Sequence, residues 1–226
     1  MSEVTTRPVL FSFPKPAKVG RLVAKNKIYE HGSVSSTLRN KFVAQVEQIT
    51  WAYKLAPETI NLSARAEVPE LQIFDIELKT AVLDDEVLRA IDRAIPLPII
   101  FQLHRDQQVR MVAAFKRPSQ AEADKWVLED YVAGPWLPAD AERQSLPIAL
   151  DLQGLYEQLL RSLLPQAARA DESLYEQLER LARLRSRQSE YQKLESRLHK
   201  EKQFNRRVVL NAQLREIQNE IAELSA

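Results

Sequence analysis

The sequence predicts a mixed α/β protein of the α+β class, in which a small mixed sheet with helices precedes a long C-terminal helical segment. Over residues 28–117, helical and strand-like spacings of apolar residues follow one another in the order α-β-β-α-β-β. Prolines end several of these patterns, as expected where helices and strands stop. From Asp171 to Leu224 the chain has neither Gly nor Pro, and its apolar residues recur at helical intervals.

Length and composition fit this class and exclude several others. A chain of 226 residues, 45% hydrophobic and 28% charged, can form one soluble domain with an appended helical element. No apolar run approaches the ~20 residues that cross a bilayer, and residues 1–7 are too polar for a secretion signal. The absence of cysteine excludes disulfides, thiolate metal sites and a cysteine nucleophile. We therefore expect a cytoplasmic protein without membrane contact.

The N-terminal arm, residues 1–27, is locally basic although the whole chain has a net charge of only +1. No acidic residue lies between Glu3 and Glu30. A solvated terminus explains such a segment, and contact with the phosphates of nucleic acid is the alternative. The candidate nucleic-acid residues are Lys15, Lys18, Arg21, Lys25, Lys27, Arg206 and Arg207.

The α/β domain, residues 28–165, begins with a helix capped by Ser35 or Ser36. Its apolar residues continue at helical spacing to Trp51 and Tyr53, and Pro57 closes it. Strands are expected at 59–62 and 71–79.

The second half of this domain has clearer boundaries. Asp84 and Asp85 begin a helix that Pro96 ends, and an apolar strand follows at 98–104. A polar turn joins it to a strand at 109–116, so the two form a hairpin. After these come a short helix at 121–128, an irregular segment at 134–138 and an amphipathic helix at 150–164.

The C-terminal segment, residues 166–226, is predicted to be a coiled coil or a helical hairpin. Its two halves follow different seven-residue phases, and the polar segment 199–207 separates them. Two antiparallel arms and one continuous helix both explain the mismatch, and the lack of Gly and Pro slightly favours the continuous helix. Self-association or binding to a partner helix would use Leu210, Leu214, Ile217, Ile221 and Leu224.

The strand at 71–79 carries the only catalytic hypothesis of note. Asp75, Glu77 and Lys79 alternate along it, so they share one face. Restriction-type nucleases use such a pattern, in which Glu77 would bind Mg²⁺, Lys79 would orient the attacking water and Asp75, Glu70 or Glu47 would supply a further carboxylate. Charged residues at the exposed end of a half-buried strand explain the same pattern. No phosphate-binding loop or nucleophile motif is present, and three scattered histidines do not predict a metal site, so no cofactor is expected.

Five segments together resemble a known bacterial family. They are KIYEH (27–31), WAYKLAPETINL (51–62), LQIFDIELK (71–79), IPLPIIF (95–101) and EKQFN (201–205). In combination they are similar to the domain-of-unknown-function 4391 family over nearly the whole chain. The resemblance implies a cytoplasmic bacterial protein encoded beside DNA methyltransferases and helicase-like restriction subunits. It assigns no catalytic residue.

These observations favour a non-enzymatic accessory or adaptor subunit of a DNA-acting assembly, of the restriction-modification or phage-defence kind. The coiled coil would join it to its partner, which the resemblance suggests is a DNA methyltransferase or a helicase. Two alternatives stay open: a metal-dependent nuclease that uses Glu77 and Lys79, and a homo-oligomeric structural protein.

Overall fold

Strands account for much of the N-terminal part of the protein. The computed structural model describes residues 10–32, 34–119 and 126–226. In these residues the strands are β1 (Leu10–Ser12), β2 (Lys18–Leu22), β3 (Val46–Leu55), β4 (Leu71–Leu78), β5 (Ile99–Arg105), β6 (Gln108–Pro118), β7 (Trp126–Ala133), β8 (Leu137–Pro138) and β9 (Arg143–Ser145). Seven of these described strands form one mixed sheet, in which β2 to β7 are neighbours in chain order and β8 pairs with β6. β1 and β9 form a separate parallel pair.

Helices alternate with these strands and then form the C-terminal part of the chain. They are α1 (Lys25–His31), α2 (Ser36–Gln45), α3 (Pro57–Ile60), α4 (Asp85–Ala94), α5 (Leu152–Arg161), α6 (Leu174–Lys200) and α7 (Phe204–Ser225). None of the helices in the described ranges is both long and apolar enough to cross a membrane. Together with the sheet, these helices confirm the predicted mixed α+β class and the long C-terminal helical segment.

One pair of neighbouring strands in the large sheet is parallel. β4 and β5 run in the same direction and α4 connects them, whereas β3 and β6 are antiparallel to their neighbours in this group. Asp84 begins α4 by accepting a hydrogen bond from the amide of Glu86 at 3.0 Å, and the helix stops before Pro96. The predicted helix, its cap and the following hairpin of β5 and β6 are therefore confirmed.

The main core lies between one face of this sheet and helices α1, α2 and α4. Phe42 on α2 and Ile91 on α4 are fully buried against Phe74 and Phe101, which lie on β4 and β5. Each of these four residues belongs to the apolar pattern of its helix or strand, so their burial follows from the local sequence. α5 contacts β6 separately: Tyr156 donates to the Ala114 carbonyl at 2.7 Å.

The structure corrects the prediction of one long helix between residues 35 and 53. Ser35 does cap α2, accepting from the Leu38 amide at 3.2 Å, but the helix ends at Gln45 and 46–55 is strand β3. The buried residues of β3 recur every third position, which resembles helical spacing. The pairing of β3 with β4 shifts register between Val46 and Gln48, so one extra residue separates Val46 from Ile49 and both lie in the main core. Leu55 pairs with Leu71 and is buried outside that core, so the three-residue spacing combines two sets of buried residues.

Two shorter predictions were also wrong. Residues 57–60 form the short helix α3 instead of a strand, because Pro57 presets the first helical turn. Residues 126–128 belong to strand β7 instead of the predicted helix, and 121–125 lie outside the described residues. The irregular segment at 134–138 ends in β8, which adds to the edge of β6.

The chain divides into two compact units, one ending at Pro165 and the other covering Gln166–Ala226. In the second unit, α6 and α7 are separated by residues 201–203, so the slightly favoured continuous helix was wrong. The two helices run antiparallel: Arg187 on α6 lies 2.7 Å from Glu220 on α7, and Arg180 contacts the end of α7. α6 therefore ends at this turn although the segment contains neither Gly nor Pro.

Candidate functional site

Polar side chains gather along the parallel strands β4 and β5, from the middle of each strand toward its carboxyl end. Asp75 is beside Gln102 and Glu77 is beside His104 in the register of this pair. Gln102 donates to Asp75 Oδ1 at 2.6 Å, and Arg143 donates to Gln102 Oε1 at 2.9 Å. His104 Nε2 is 3.5 Å from Asp75 Oδ1 and has no hydrogen-bond partner in the described part of the chain. We call these five residues the β4–β5 polar cluster.

The nuclease hypothesis requires Lys79 and further carboxylates to meet at this cluster. Asp75 and Glu77 share a strand face as predicted, but Lys79 Nζ lies 3.3 Å from Glu47 and donates to the Val43 carbonyl at 3.2 Å. The carboxylate that lies beside Lys79 is therefore that of Glu47. Within residues 10–32, 34–119 and 126–226, no group of three or more His, Asp or Glu side chains is placed to hold a metal ion.

The predicted nucleic-acid residues of the first unit differ in their surroundings. Lys15, Lys18 and Arg21 are exposed, the last two on β2, which is an edge strand of the large sheet. Lys25 instead donates to the carbonyl of Val46. Burial, followed by repulsion from the nearby Lys79, lowers the pKa of Lys25. The cations available to an anionic ligand here are therefore chiefly those of β2 and the turn before it.

The remaining candidates are surface residues close to carboxylates or fully solvated. Lys27 lies 3.7 Å from Glu30 within α1. In the second unit, Arg206 lies 3.9 Å from Glu201 and Arg207 is exposed. Such exposed pairs contribute little stability and leave the cations accessible.

The first unit contains a buried charged network that was not predicted from the sequence. Lys116 on β6 and Asp92 on α4 have side chains only 3% exposed, with Nζ and Oδ1 3.5 Å apart, and Lys116 also donates to the Ile95 carbonyl. Tyr131 donates to the other carboxylate oxygen of Asp92. Burial raises the pKa of Asp92 to about 6 and lowers the pKa of Lys116. Helix and strand patterns contain no signal for this contact, because its members are 24 residues apart along the chain.

The predicted partner-binding residues of α7 are largely covered within the structure. Leu210, Leu214 and Ile217 are buried, whereas Ile221 and Leu224 are half-buried. Side chains buried in this way are not available to a second protein while α6 and α7 keep their antiparallel packing.

Other apolar side chains of α7 are exposed and were not predicted as a contact surface. Phe204 is 78% exposed, Val208 52% and Val209 58%. Across residues 185–209 of the described C-terminal unit, no side chain is buried, although Tyr191 and Leu198 are apolar and half-buried. The mismatch between the two seven-residue phases was the sequence signal for this surface. It places Phe204 and Val208 outside the phase of the buried residues Leu210 and Leu214.

Arg180 joins the two antiparallel helices at the end opposite the turn between them. Its guanidinium donates twice to Glu172, at 2.6 and 2.9 Å, and also to the carbonyls of Ala167 and Leu224, each at 3.1 Å. A further hydrogen bond reaches Gln166 Oε1 at 2.9 Å. These contacts join the segment before α6 to the C-terminus of α7. The helix dipole also favours a cation at this C-terminus, because it places partial negative charge there.

A shallow groove borders the start of α5 in the first unit. It has a volume of about 580 Å³ and is lined by charged side chains that include Arg65 and Asp151, which lie 2.6 Å apart. Ile148 and Leu150 also line it and are each 95% exposed. Exposed apolar pairs of this kind are typical of contact surfaces.

Comparison with protein families agrees with the resemblance noted in the sequence. The family model described as domain of unknown function (DUF4391) matches residues 11–221. No curated protein and no solved structure matches the chain significantly. Because the family match includes both units and nearly the whole chain, this protein belongs to the DUF4391 family of domains of unknown function.

Proposed function

We propose that this chain is a non-enzymatic accessory subunit that holds a partner protein through a coiled coil formed by its C-terminal helices. The observation that carries the proposal is the absence of any buried side chain across residues 185–209 of the described C-terminal unit. Helices in water are stabilised mainly by packing of an apolar face. A long helical segment that leaves Phe204, Val208 and Val209 exposed is therefore suited to packing against another protein.

The partner that we propose is a DNA-acting enzyme, such as a methyltransferase or a helicase of a restriction-modification or phage-defence assembly. The family resemblance motivates this choice. Exposed cations of the first unit support it, since Lys18 and Arg21 on β2 can neutralise phosphates of DNA that the partner holds. The groove beside Ile148 and Leu150 offers a second contact surface for such an assembly.

Affinity purification from the cells of origin tests the proposal. The full chain is compared with a chain that ends at Pro165, where the first compact unit ends. We expect a DNA-acting enzyme to be recovered with the full chain and lost with the shorter one. The shorter chain must show cooperative thermal unfolding. Recovery of the same proteins with both chains, or of no DNA-acting protein with either, would contradict the proposal.

The nuclease alternative is tested with the same purified protein. It requires Mg²⁺- or Mn²⁺-dependent cleavage of DNA that is lost in Lys79→Ala and kept in the control Lys202→Ala, whose lysine is exposed in the turn between α6 and α7. Cleavage that persists in Lys79→Ala would indicate a contaminant. Absence of cleavage with both metals would leave the accessory role as the better account.

The homo-oligomer alternative predicts a different result. Light scattering would give a multiple of the 26.0 kDa chain mass, without retention of DNA at low salt and without a second protein in the cell. A monomer that gains mass only with the recovered enzyme would support the accessory role.

A further inference from the structure

Helix α7 has two apolar faces, and the antiparallel helix α6 covers only one of them. Leu210 and Leu214 lie on the buried face. Val208 is two residues before Leu210, which places it about 200° around the helix, nearly on the opposite side. Phe204 is one turn before Val208, so the two exposed side chains share that opposite face. A single neighbouring helix cannot pack on both sides, and this face is open.

The open face is also positively charged. Residues 204, 208, 211 and 215 fall on it by helical spacing and include Arg215 but no carboxylate, and the exposed Arg207 lies at its border with the buried face, about 60° around the helix from Phe204. The acidic residues of α7, from Glu216 onward, lie about a quarter turn or more away around the helix. Over residues 185–209, eight Lys and Arg against three Glu give a net charge of +5, whereas the whole chain has +1. The basic charge is therefore concentrated where the apolar side chains are exposed.

We propose that this face, defined by Phe204, Arg207, Val208 and Arg215, binds an acidic amphipathic helix of another protein. Apolar residues of that helix, three and four positions apart, would cover Phe204 and Val208. Its flanking carboxylates would pair with Arg207 and Arg215 and accept the two parallel hydrogen bonds that a guanidinium offers. The inference rests on the proposed accessory function and specifies the chemistry of the partner.

Other occupants fit these features less well. Two copies of the chain that meet through this same face bring Arg207 and Arg215 of one copy close to those of the other, which is repulsive. Nucleic acid phosphates satisfy the arginines but leave Val208 in water. An acidic helix removes Val208 and Phe204 from water and neutralises both arginines at once.

Photo-crosslinking of the full chain in its own cells tests the proposal. p-Benzoylphenylalanine is placed at Phe204, an aromatic position, and at Gln213 as a control, since Gln213 is exposed on α7 outside the open face. We expect the Phe204 position to crosslink to a protein segment with net negative charge and apolar residues at helical spacing. The Gln213 position should give little of this product.

Charge exchange then tests the arginines. Arg207→Glu with Arg215→Glu should lower the yield of the crosslink at least about tenfold. Replacing two acidic residues of the captured segment by Lys should restore it, which a merely unfolded variant would not do. Crosslinks to a second copy, to nucleic acid or to lipid, or a yield that the double substitution leaves unchanged, would overturn the proposal.

The outcomes also separate this inference from the accessory function. A DNA-acting enzyme captured through a basic or uncharged segment would keep the accessory function and refute the acidic helix. An acidic helix captured from a protein that does not act on DNA would support the acidic helix and refute the assignment to a DNA-acting assembly.

Discussion

The hydrogen bonds of Arg180 lead to a quantitative prediction about the C-terminal helices. Arg180 has a side chain only 7% exposed, and it donates to Glu172, Gln166, Ala167 and Leu224. The substitution Arg180→Lys keeps the charge but replaces a planar fork of donors with a single ammonium group. Lysine can reach only part of these acceptors, so the attachment of α7 to the segment before α6 should weaken, although Arg169 still donates to the Glu223 carbonyl.

The expected loss follows from the acceptors. Hydrogen bonds from Arg180 hold the pKa of Glu172 at about 2, against 4.5 without partners. A shift of that size corresponds to about 3 kcal/mol, and solvent screening near the end of the helices reduces it to about 2 kcal/mol. The two backbone carbonyls add about 1 kcal/mol each. Because lysine recovers part of this, we expect Arg180→Lys to destabilise the helix pair by about 2 to 3 kcal/mol.

Hydrogen exchange of peptides that cover residues 166–180 and the C-terminal half of α7 is the direct assay. A loss of this size accelerates exchange about 30- to 150-fold, provided that exchange occurs through local opening. Arg183→Lys is the matched control, because Arg183 is exposed on the same helix and should change the opening free energy by less than about 0.5 kcal/mol. Equal exchange rates in the two variants would refute the role given to Arg180.

The pair of Arg180 and Glu172 predicts how the stability of the C-terminal helices changes in acid. Because the pKa of Glu172 is lower in the folded protein than in the unfolded chain, the pairing stabilises the helices above pH 4.5 and is lost as the pH falls toward 2. Glu172→Gln should remove this dependence between pH 4.5 and 2. Circular dichroism of both proteins during acid titration would show it, and identical titrations would contradict the assignment.

Three further predictions concern the first unit. Gly32→Ala should destabilise it by about 1 to 3 kcal/mol in urea unfolding, because the added Cβ would lie 2.8 Å from the carbonyl oxygens of Ala90 and Ile28. A change under about 0.5 kcal/mol would show instead that α1 can move to make room for the methyl group. Burial raises the pKa of Asp92 to about 6, above its unfolded value, so the stability of the protein should fall as the pH rises from 4 to 6, and Asp92→Asn should lack this component of the decline. Ser35→Ala removes the cap of α2 and should cost about 1 kcal/mol by thermal unfolding, while no loss would mean that water replaces the cap.

Local patterns were sufficient for the elements whose signals lie within a few residues. Asp84 caps α4, Pro96 follows its end, and the alternation along 71–78 defines β4. In the same way the alternation placed Asp75 and Glu77 on one strand face. Their surroundings were not predictable, because Gln102 and His104 reach them only through the parallel pairing of β4 and β5.

The sequence by itself determined the mixed α+β class, the long C-terminal helical segment and the membership of the DUF4391 family. Tertiary structure decided strand register and which helix faces are buried, neither of which the periodicity of the sequence specifies. A register shift near Val46, together with burial of Leu55 outside the main core, gave β3 a three-residue spacing that resembles a helix. Antiparallel packing selected Leu210, Leu214 and Ile217 for burial and left Phe204 and Val208 exposed on α7. The physical reason is that periodicity shows which residues can share a face, whereas burial depends on which distant part of the chain packs against that face.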